Sequence, residues 1–241
     1  MLDPGDLTGT SWEATTFPFD ANARNGGPAD VTSAWKQVFR GARTFGRERG
    51  NLLPHLLEDQ VRRQLSGGRR PLTLGGDHSL TWYALKALTS RYGSRITVVH
   101  FDAHHDAYPG AELNHYTVMR HVRERLRLRT IGLGYRHDVD EKAASVLDHP
   151  IDGLLYLSID VDYFDPSLVP SVGHSVACTK QAFCDLESFS ESLRQISPAQ
   201  VIGLDIVEWC GSRAGATERQ FVSRVVACLA SRFSIETSTQ P

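Results

Sequence analysis

Two aspartates and two histidines occur within five consecutive positions, directly after an apolar run. The stretch FDAHHDAY, residues 101–108, contains Asp102, His104, His105 and Asp106. So many titratable groups at the end of a buried strand repel one another or lose solvation, unless a metal ion, salt bridges or open water compensates them. The other strand ends indicate which of these applies.

Three further apolar runs also end in acidic residues or histidine. The segments TLGGDH, LSIDVDYFD and GLDIVE supply Asp77, His78, Asp160, Asp162, Asp165, Asp205 and Glu208. In an open parallel α/β sheet, ligands bind beyond the carboxyl ends of the strands, so these side chains should meet at one edge. Alone, GGDHS is well explained as a tight turn, and DAHHD as a solvated loop. Four such strand ends together predict a site.

The spacing within the motifs indicates a metal centre. In extended strands, Asp160 and Asp162 would share one side, as would residues 102, 104 and 106. Two carboxylates on one side of a buried strand repel each other unless a cation lies between them. The six candidate ligands are His78, Asp102, His104, Asp106, Asp160 and Asp162. A carboxylate-rich set without cysteine suits Mn²⁺, with Fe²⁺, Co²⁺ or Zn²⁺ as alternatives, and six ligands suit two ions better than one.

Apolar strands alternate with amphipathic helices along the chain. Helices are predicted at 53–65, 116–128, 183–196 and 219–233, and another follows GGDHS. This order predicts an α/β protein with three layers, in which helices cover both faces of a mainly parallel central sheet. No repeat or linker divides the sequence, so residues 1–241 are predicted to form a single domain.

The composition excludes several classes of function. With 26 Lys and Arg against 28 Asp and Glu, the net charge of −2 gives no overall attraction to nucleic acid or an anionic membrane. The longest apolar runs are far shorter than the roughly 20 residues that span a bilayer. The first residues lack the basic and apolar regions of a signal peptide. We therefore predict a cytoplasmic protein without nucleic-acid or membrane partners.

Three motifs resemble, in order, those of the ureohydrolase family, which includes arginase, agmatinase and related amidinohydrolases. GGDHS, DAHxD and SxDxDxxDP occur here at 75–79, 102–106 and 158–166. GLDIVEW and LNHYT resemble the family's segments with a substrate-binding glutamate and a loop histidine, here Glu208 and His115. The resemblance covers most of the sequence between the first predicted strand and the last helix.

The resemblance implies an arginase-like fold and a dinuclear Mn²⁺ site that activates water for attack on a guanidinium carbon. The products would be urea and an amine. Glu208 would accept hydrogen bonds from the guanidinium, and His115 would protonate the leaving amine. Asp106 is assigned a catalytic role besides its role as a ligand. Family members usually form trimers or hexamers, so a homo-oligomer is expected.

The substrate rim departs from the family pattern. Where arginases hold the α-carboxylate of the amino acid, the sequence reads AYPGAELNH and has no clear counterpart. We expect an open mouth lined by Tyr108, Tyr116 and Trp209, with Asn114 as a further substrate contact. Such a rim favours an arginine side chain in a peptide, converted to ornithine in natural-product tailoring. Small-molecule agmatinase, guanidino-acid hydrolase and arginase activities are the alternatives.

Two alternative functions compete with amidine hydrolysis: a non-catalytic homologue and a different metal hydrolase. A non-catalytic homologue would commonly lack a ligand, whereas all six and Glu208 are present. A deacetylase-like metal hydrolase would share the short motifs but release no urea. The arginine-rich run at 120–129 is interpreted as a solvated helix face or subunit contact rather than a docking surface. The segment YRHDVDEK, with Arg136, Asp138 and Asp140, is a candidate for contact with the substrate but is assigned no position.

Overall fold

The computed structural model describes residues 10–17, 35, 43–44, 53–136, 147–172 and 184–236. Its strands are β1 (Trp12–Phe17), β2 (Arg43–Thr44), β3 (Arg70–Gly75), β4 (Ile96–Phe101), β5 (Arg129–Leu133), β6 (Leu154–Asp160) and β7 (Val201–Val207). These described strands form one sheet in the order β2-β1-β3-β7-β6-β4-β5, and each pairing is parallel. The predicted parallel sheet is confirmed.

The helices in the described ranges are α1 (Leu53–Ser66), α2 (Leu80–Tyr92), α3 (Val118–Arg125), α4 (Leu186–Arg194) and α5 (Ala216–Phe233). Among them, none has the length and apolar character needed to cross a membrane. The sequence also predicts a helix that begins near Asp30 or Thr32, and apart from Trp35 this helix lies outside the described residues.

Helices cover both faces of the sheet, because alternate strand residues feed two separate cores. On one face, Val98 of β4 packs in a cluster with Leu57 of α1, Leu85 of α2 and Val122 of α3. On the other face, the neighbouring Val99 joins a cluster that includes side chains of α4 and α5. β3, β4, β6 and β7 are buried at every residue, as expected of parallel strands between two helical layers. The three-layer prediction is confirmed.

Several helix boundaries differ from the predicted ones by one to three residues, and two of these shifts have a local cause. The helix predicted at 116–128 ends at Arg125, since Arg127 turns the chain with φ 55°. The one predicted at 183–196 begins after Asp185, whose carboxylate caps the first turn of α4. The last helix, predicted at 219–233, begins three residues earlier, at Ala216.

The four strands that carry the polar motifs are neighbours at the centre of the sheet, in the order β3-β7-β6-β4. Because they are parallel, their carboxyl ends lie at the same edge. Ser158 of β6 pairs in register with His100 of β4 and with Asp205 of β7. The strand register therefore places these three polar residues side by side, just before the carboxyl ends of the strands.

Candidate metal centre

The first ligand group consists of His78, Asp102, Asp106 and Asp160, all buried, with one ligand atom of each lying within 4.8 Å of the others. The Nδ1 atom of His78 lies 2.7 Å from Oδ2 of Asp106 and 3.2 Å from Oδ2 of Asp102. It also lies 3.4 Å from Oδ2 of Asp160. Three carboxylates thus converge on one ring nitrogen.

The second ligand group consists of Asp102, His104 and Asp162. The Nδ1 atom of His104 lies 2.8 Å from Oδ2 of Asp162 and 3.7 Å from Oδ1 of Asp102. Asp102 belongs to both groups, with Oδ2 towards the first and Oδ1 towards the second. The structure therefore brings all six predicted ligands together as two groups joined by one carboxylate.

The backbone that carries these ligands is not extended, which corrects the sequence-based geometry. β6 ends at Asp160, and Val161–Tyr163 form a 3₁₀ turn. β4 ends at Phe101, and Asp106 has a left-handed backbone with φ 47°. Extended strands would separate alternate residues by roughly 6.6 Å, too far for one compact group. In the structure, Asp160 belongs to the first ligand group and Asp162 to the second, so the turn after β6 divides this pair between the two groups.

Backbone amides fix two of these carboxylates in place. The N–H of Ala103 donates to Oδ1 of Asp162 at 3.0 Å, so the DAHHD loop and the turn after β6 hold each other. The N–H of His104 donates to Oδ1 of Asp102 at 2.6 Å. Because these bonds are made by the main chain, the ligand geometry is built into the loops themselves.

The electrostatics of the cluster show an excess of buried negative charge. Burial alone would lower the pKa of His78, but the carboxylates of Asp102 and Asp106 beside its Nδ1 outweigh burial and hold that pKa well above its usual value. Burial and the charge of Asp102 raise the pKa of Asp106 to about 7. Burial, followed by the charges of Asp162 and Asp102, raises the pKa of Asp160 well above its usual value. A cation among these groups would relieve the repulsion.

The donor set fits divalent cations. Oδ2 of Asp102 is buried and receives no hydrogen bond from the described part of the chain, although it lies at the junction of both groups. An orphaned buried carboxylate oxygen is costly unless an ion or water binds it. Carboxylate oxygens and imidazole nitrogens are the ligands that Mn²⁺ and similar ions take. Six such donors in two linked groups have the composition of a dinuclear site.

Glu208 lies directly beside the first group. It follows β7 in a left-handed conformation with φ 62°, which is unusual for a residue other than glycine. Its backbone N–H donates to the carbonyl of Gly76 at 2.8 Å, and its Oε1 accepts the N–H of His78 at 2.7 Å. Burial and the charge of Asp77 raise the pKa of Glu208 well above its usual value. A cationic group beside this carboxylate would favour its ionised form.

The loop that carries His115 forms an aromatic rim. Oδ1 of Asn114 accepts the N–H of Tyr116 at 3.0 Å, so this side chain holds its own loop. The rings of His115 and Tyr116 have centroids 3.9 Å apart, and Tyr116 is 37% exposed. The N–H of Tyr108 donates to the carbonyl of Tyr116 at 3.0 Å, and its ring lies 6.3 Å from that of Tyr116. Tyr108 and Tyr116 therefore pack together at the surface.

The rim belongs to the same site as the ligand groups. Burial, and then the charges of Glu208 and Asp106, raise the pKa of Tyr116. The phenol thus experiences the field of both carboxylates. The carbonyl of Asp106 also accepts the N–H of Met119 at 2.8 Å, so the end of the rim loop is anchored next to the first ligand group.

Trp209, predicted at the rim, and Arg136, predicted near the substrate, lie elsewhere, whereas Asp138 and Asp140 fall outside the described residues. Trp209 is 1% exposed, donates its Nε1–H to Oε1 of Glu218 at 3.1 Å and packs edge-on against Trp35. The left-handed turn at Glu208 directs the next side chain into the core, so the prediction that Trp209 lines the mouth is wrong. The guanidinium of Arg136 donates to the backbone carbonyls of Asp162 and Tyr163, and so supports the turn after β6 rather than facing a substrate.

Sequence reasoning missed a polar network behind His78. Nε2 of His78 lies 2.9 Å from Oγ of Ser158, which donates to Oδ1 of Asp205 at 2.7 Å. Tyr156 and Thr81 also donate hydroxyl hydrogens to Asp205. The period-2 alternation of Tyr156, Ser158 and Asp160 along β6 was the available signal, because it places all three on one face.

Comparison with known proteins decides the family. A family model described as the arginase family matches residues 20–151 and 135–230. The chain belongs to the arginase family. This is the family of ureohydrolases, which hydrolyse C–N bonds of linear amidines, so the predicted resemblance is confirmed.

Individual relatives are similar to this chain over most of its length. An agmatinase of Photorhabdus laumondii is 28% identical over 227 residues, covering 83% of this chain and 69% of the relative. An uncharacterized 32.2 kDa protein of Methanothermus fervidus is 30% identical over 184 residues, covering 66% of this chain and 62% of the relative. The chain thus spans about two thirds of the length of these curated relatives.

The fold of the arginase family is also confirmed by a solved structure. The crystal structure of a hypothetical agmatinase from Burkholderia thailandensis superposes with a TM-score of 0.73 at 22% identity. The match covers 94% of this chain and 86% of the other. The predicted arginase-like αβα architecture is therefore correct.

Proposed function

We propose that this protein hydrolyses the guanidino group of an arginine-type compound to urea and a primary amine, with two Mn²⁺ ions as cofactors. The observation that supports the proposal most strongly is the position of Glu208. Its carboxylate accepts a hydrogen bond from the backbone of His78, a ligand of the first group, and so lies at the edge of the predicted dinuclear site.

The two ligand groups define which residues would hold each ion. His78, Asp102, Asp106 and Asp160 would hold one ion, and Asp102, His104 and Asp162 the other. When bound, such a pair of ions provides a water molecule of lowered pKa and positive charge for the transition state. Mn²⁺ is proposed because the donors are mainly carboxylate oxygens with imidazole and without thiolate.

Glu208 is proposed to bind and orient the guanidinium. A guanidinium presents N–H donors in a planar fork, and a carboxylate is its natural charged partner. Oε1 of Glu208 is already held by the N–H of His78, so the carboxylate cannot swing away. A substrate bound there would have its guanidinium carbon next to the ligand groups. Because folding already fixes the position of the Glu208 carboxylate, little further ordering is needed when the substrate binds.

Two residues are proposed to move protons. Asp106 would receive the proton of the attacking water, because its Oδ2 lies within the first ligand group, 2.7 Å from Nδ1 of His78. His115 would protonate the leaving amine. Its ring packs against Tyr116 at the rim, where the amine of a bound substrate would leave.

The substrate is proposed to be an ω-guanidino compound without an α-carboxylate, such as agmatine. The relative from Photorhabdus laumondii is named an agmatinase, which supports this class. A second candidate is an arginine side chain within a peptide, giving ornithine. The exposed ring of Tyr116, which packs against His115 on the rim loop, favours it, since an aromatic surface there would contact the peptide flanking the arginine.

The substrate class is tested by urea release from the Mn²⁺-loaded protein. Agmatine, 4-guanidinobutyrate, L-arginine and a capped arginine-containing peptide are compared by kcat/KM, with Asp160→Asn as the inactive control. Agmatine as the best substrate supports the first candidate, and the peptide as the best substrate supports the second. L-arginine as the best substrate by more than tenfold would contradict both. Cytoplasmic location and a homo-oligomer stay predictions, to be checked by cell fractionation and light scattering.

A further inference from the structure

Asp205 is a buried carboxylate that belongs to neither ligand group. Its side chain is fully buried, and its carboxylate accepts three hydrogen bonds from hydroxyl groups. Ser158 donates to Oδ1 at 2.7 Å, while Tyr156 and Thr81 donate to Oδ2 at 2.7 and 2.8 Å. Burying a carboxylate is costly, and an apolar side chain at this position would avoid that cost. The network is therefore expected to serve a purpose other than stability.

The network ends on the ring of His78. Oγ of Ser158 lies 2.9 Å from Nε2 of His78, on the side of the ring opposite to the ligand group. Ser158 and Asp205 are register partners on β6 and β7, so the sheet itself fixes the spacing between them. Thr81 lies one helical turn after His78 and binds the same carboxylate. Asp205 thus holds both the ring of His78 and the helix start that carries it.

Counting hydrogens assigns the tautomer of His78. An ionised carboxylate only accepts hydrogen bonds, so Ser158 must use its one hydrogen for Asp205. Ser158 can then only accept at its other side, which requires the hydrogen of the neutral imidazole to be on Nε2. Without a metal, the carboxylates of Asp102 and Asp106 favour a second hydrogen on Nδ1, which makes the ring an imidazolium. With a cation bound the ring is neutral, its hydrogen stays on Nε2, and the lone pair of Nδ1 faces the cation.

We propose that Asp205 is a positioning residue for the metal centre: through Ser158 it fixes the orientation and tautomer of His78, and thereby sets the affinity of the first metal position. The proposal rests on the metal centre described above but not on guanidine hydrolysis. Its test therefore measures bound metal rather than urea. Outer hydrogen-bond partners of histidine ligands generally act on metal affinity in this way.

The decisive variant is Asp205→Asn, which keeps the shape of the side chain. Its amide can donate to Ser158, so that Ser158 donates to Nε2 of His78 and the ring hydrogen moves to Nδ1, the atom that should bind metal. We expect the affinity for Mn²⁺ at one position to fall by about 10- to 100-fold, while the other position changes little. Calorimetric titration of the metal-stripped protein with MnCl₂ measures both affinities, and elemental analysis after dialysis counts the ions retained.

Two further variants separate positioning from a general structural effect. Ser158→Ala breaks the same path, so it should lower the metal affinity of the same position. The double variant with Asp205→Asn should bind metal no more weakly than the weaker-binding of the two single variants. Tyr156→Phe removes one hydroxyl from Asp205 but leaves the path through Ser158 intact. It should bind both ions within threefold of the wild type.

The result that would overturn the proposal is an Asp205→Asn protein that binds two Mn²⁺ ions with wild-type affinities. Equal weakening by Tyr156→Phe would also overturn it, because the effect would then be one of packing. If Asp205→Asn does not fold, Ser158→Ala decides alone, and unchanged affinity in that variant refutes the proposal. Two bound ions without urea formation would contradict the proposed function and not this inference.

Discussion

The substitution Glu208→Gln tests the proposed guanidinium-binding residue with the smallest change of shape. The amide oxygen of glutamine can still accept the N–H of His78, which the carboxylate now accepts at 2.7 Å. What the variant loses is the negative charge and one acceptor. Since one carboxylate oxygen is already engaged by His78, we count one charged hydrogen bond to the substrate.

A hydrogen bond to a charged group is worth about 1.5–3 kcal/mol, and each 1.4 kcal/mol corresponds to about a factor of ten. We therefore expect kcat/KM for the preferred guanidino substrate to fall roughly 10- to 100-fold. The assay is urea release over a range of substrate concentrations with Mn²⁺ in excess. Elemental analysis of the same preparation should find two ions, because Glu208 belongs to neither ligand group.

A matched control is Glu58→Gln, which removes a glutamate that pairs with Arg62 and Lys86 on α1 and α2. Its kcat/KM should stay within twofold of the wild type. A Glu208→Gln protein with kcat/KM within threefold of the wild type would refute the role given to Glu208. A variant that loses an ion would instead make Glu208 part of the metal centre.

Three further predictions follow from the ligand groups and the rim. Because Asp102 is the ligand common to both groups, Asp102→Asn should lose both ions on dialysis, whereas Asp162→Asn should keep one, as counted by elemental analysis; equal loss would contradict the grouping. Removing the metal with a chelator should lower the melting temperature by roughly 5–15 °C in a thermal melt. The reason is that ions at 100 to 1,000 times their dissociation constant add about 2.7–4.1 kcal/mol to the free energy of unfolding. An unchanged melting temperature would argue against a buried metal centre. Tyr116→Ala should lower kcat/KM for an arginine-containing peptide at least fivefold more than for agmatine; equal effects in the two urea assays would remove the support for a peptide substrate.

The strands and their common edge could be predicted because they depend on local sequence. Parallel strands buried on both faces need continuous apolar runs, and each of β3, β4, β6 and β7 has one that ends in a polar motif. Helix ends were less predictable, because they depend on single turns. The left-handed residue Arg127 and the cap at Asp185 move two of them.

The candidate ligands could be chosen from residue types, but their arrangement could not. Period-2 alternation was extended past the strand ends, where a 3₁₀ turn and a left-handed Asp106 actually shape the groups. Positive φ values at residues other than glycine, as at Glu208, result from tertiary contacts such as its bond to Gly76, and these contacts are not visible in a local pattern. The same turn explains why Trp209 was misplaced.

The role of Asp205 could not be read from the sequence for a related reason. It was recognised as one of the polar residues near the strand ends, but its partners Thr81 and Tyr156 lie 124 and 49 residues away. Only the register of the sheet and the position of α2 bring these hydroxyl groups to one carboxylate. Long-range polar networks of this kind require the folded structure.

The central claim is that the two ligand groups and Glu208 together hydrolyse a guanidino group. The most direct measurement strips the protein of metal, restores it with MnCl₂ and follows urea and putrescine formed from agmatine in the same reaction. The account predicts no product from the stripped protein, and equal amounts of urea and putrescine once two ions per chain are bound. Two bound ions without urea from agmatine or from an arginine-containing peptide would contradict it.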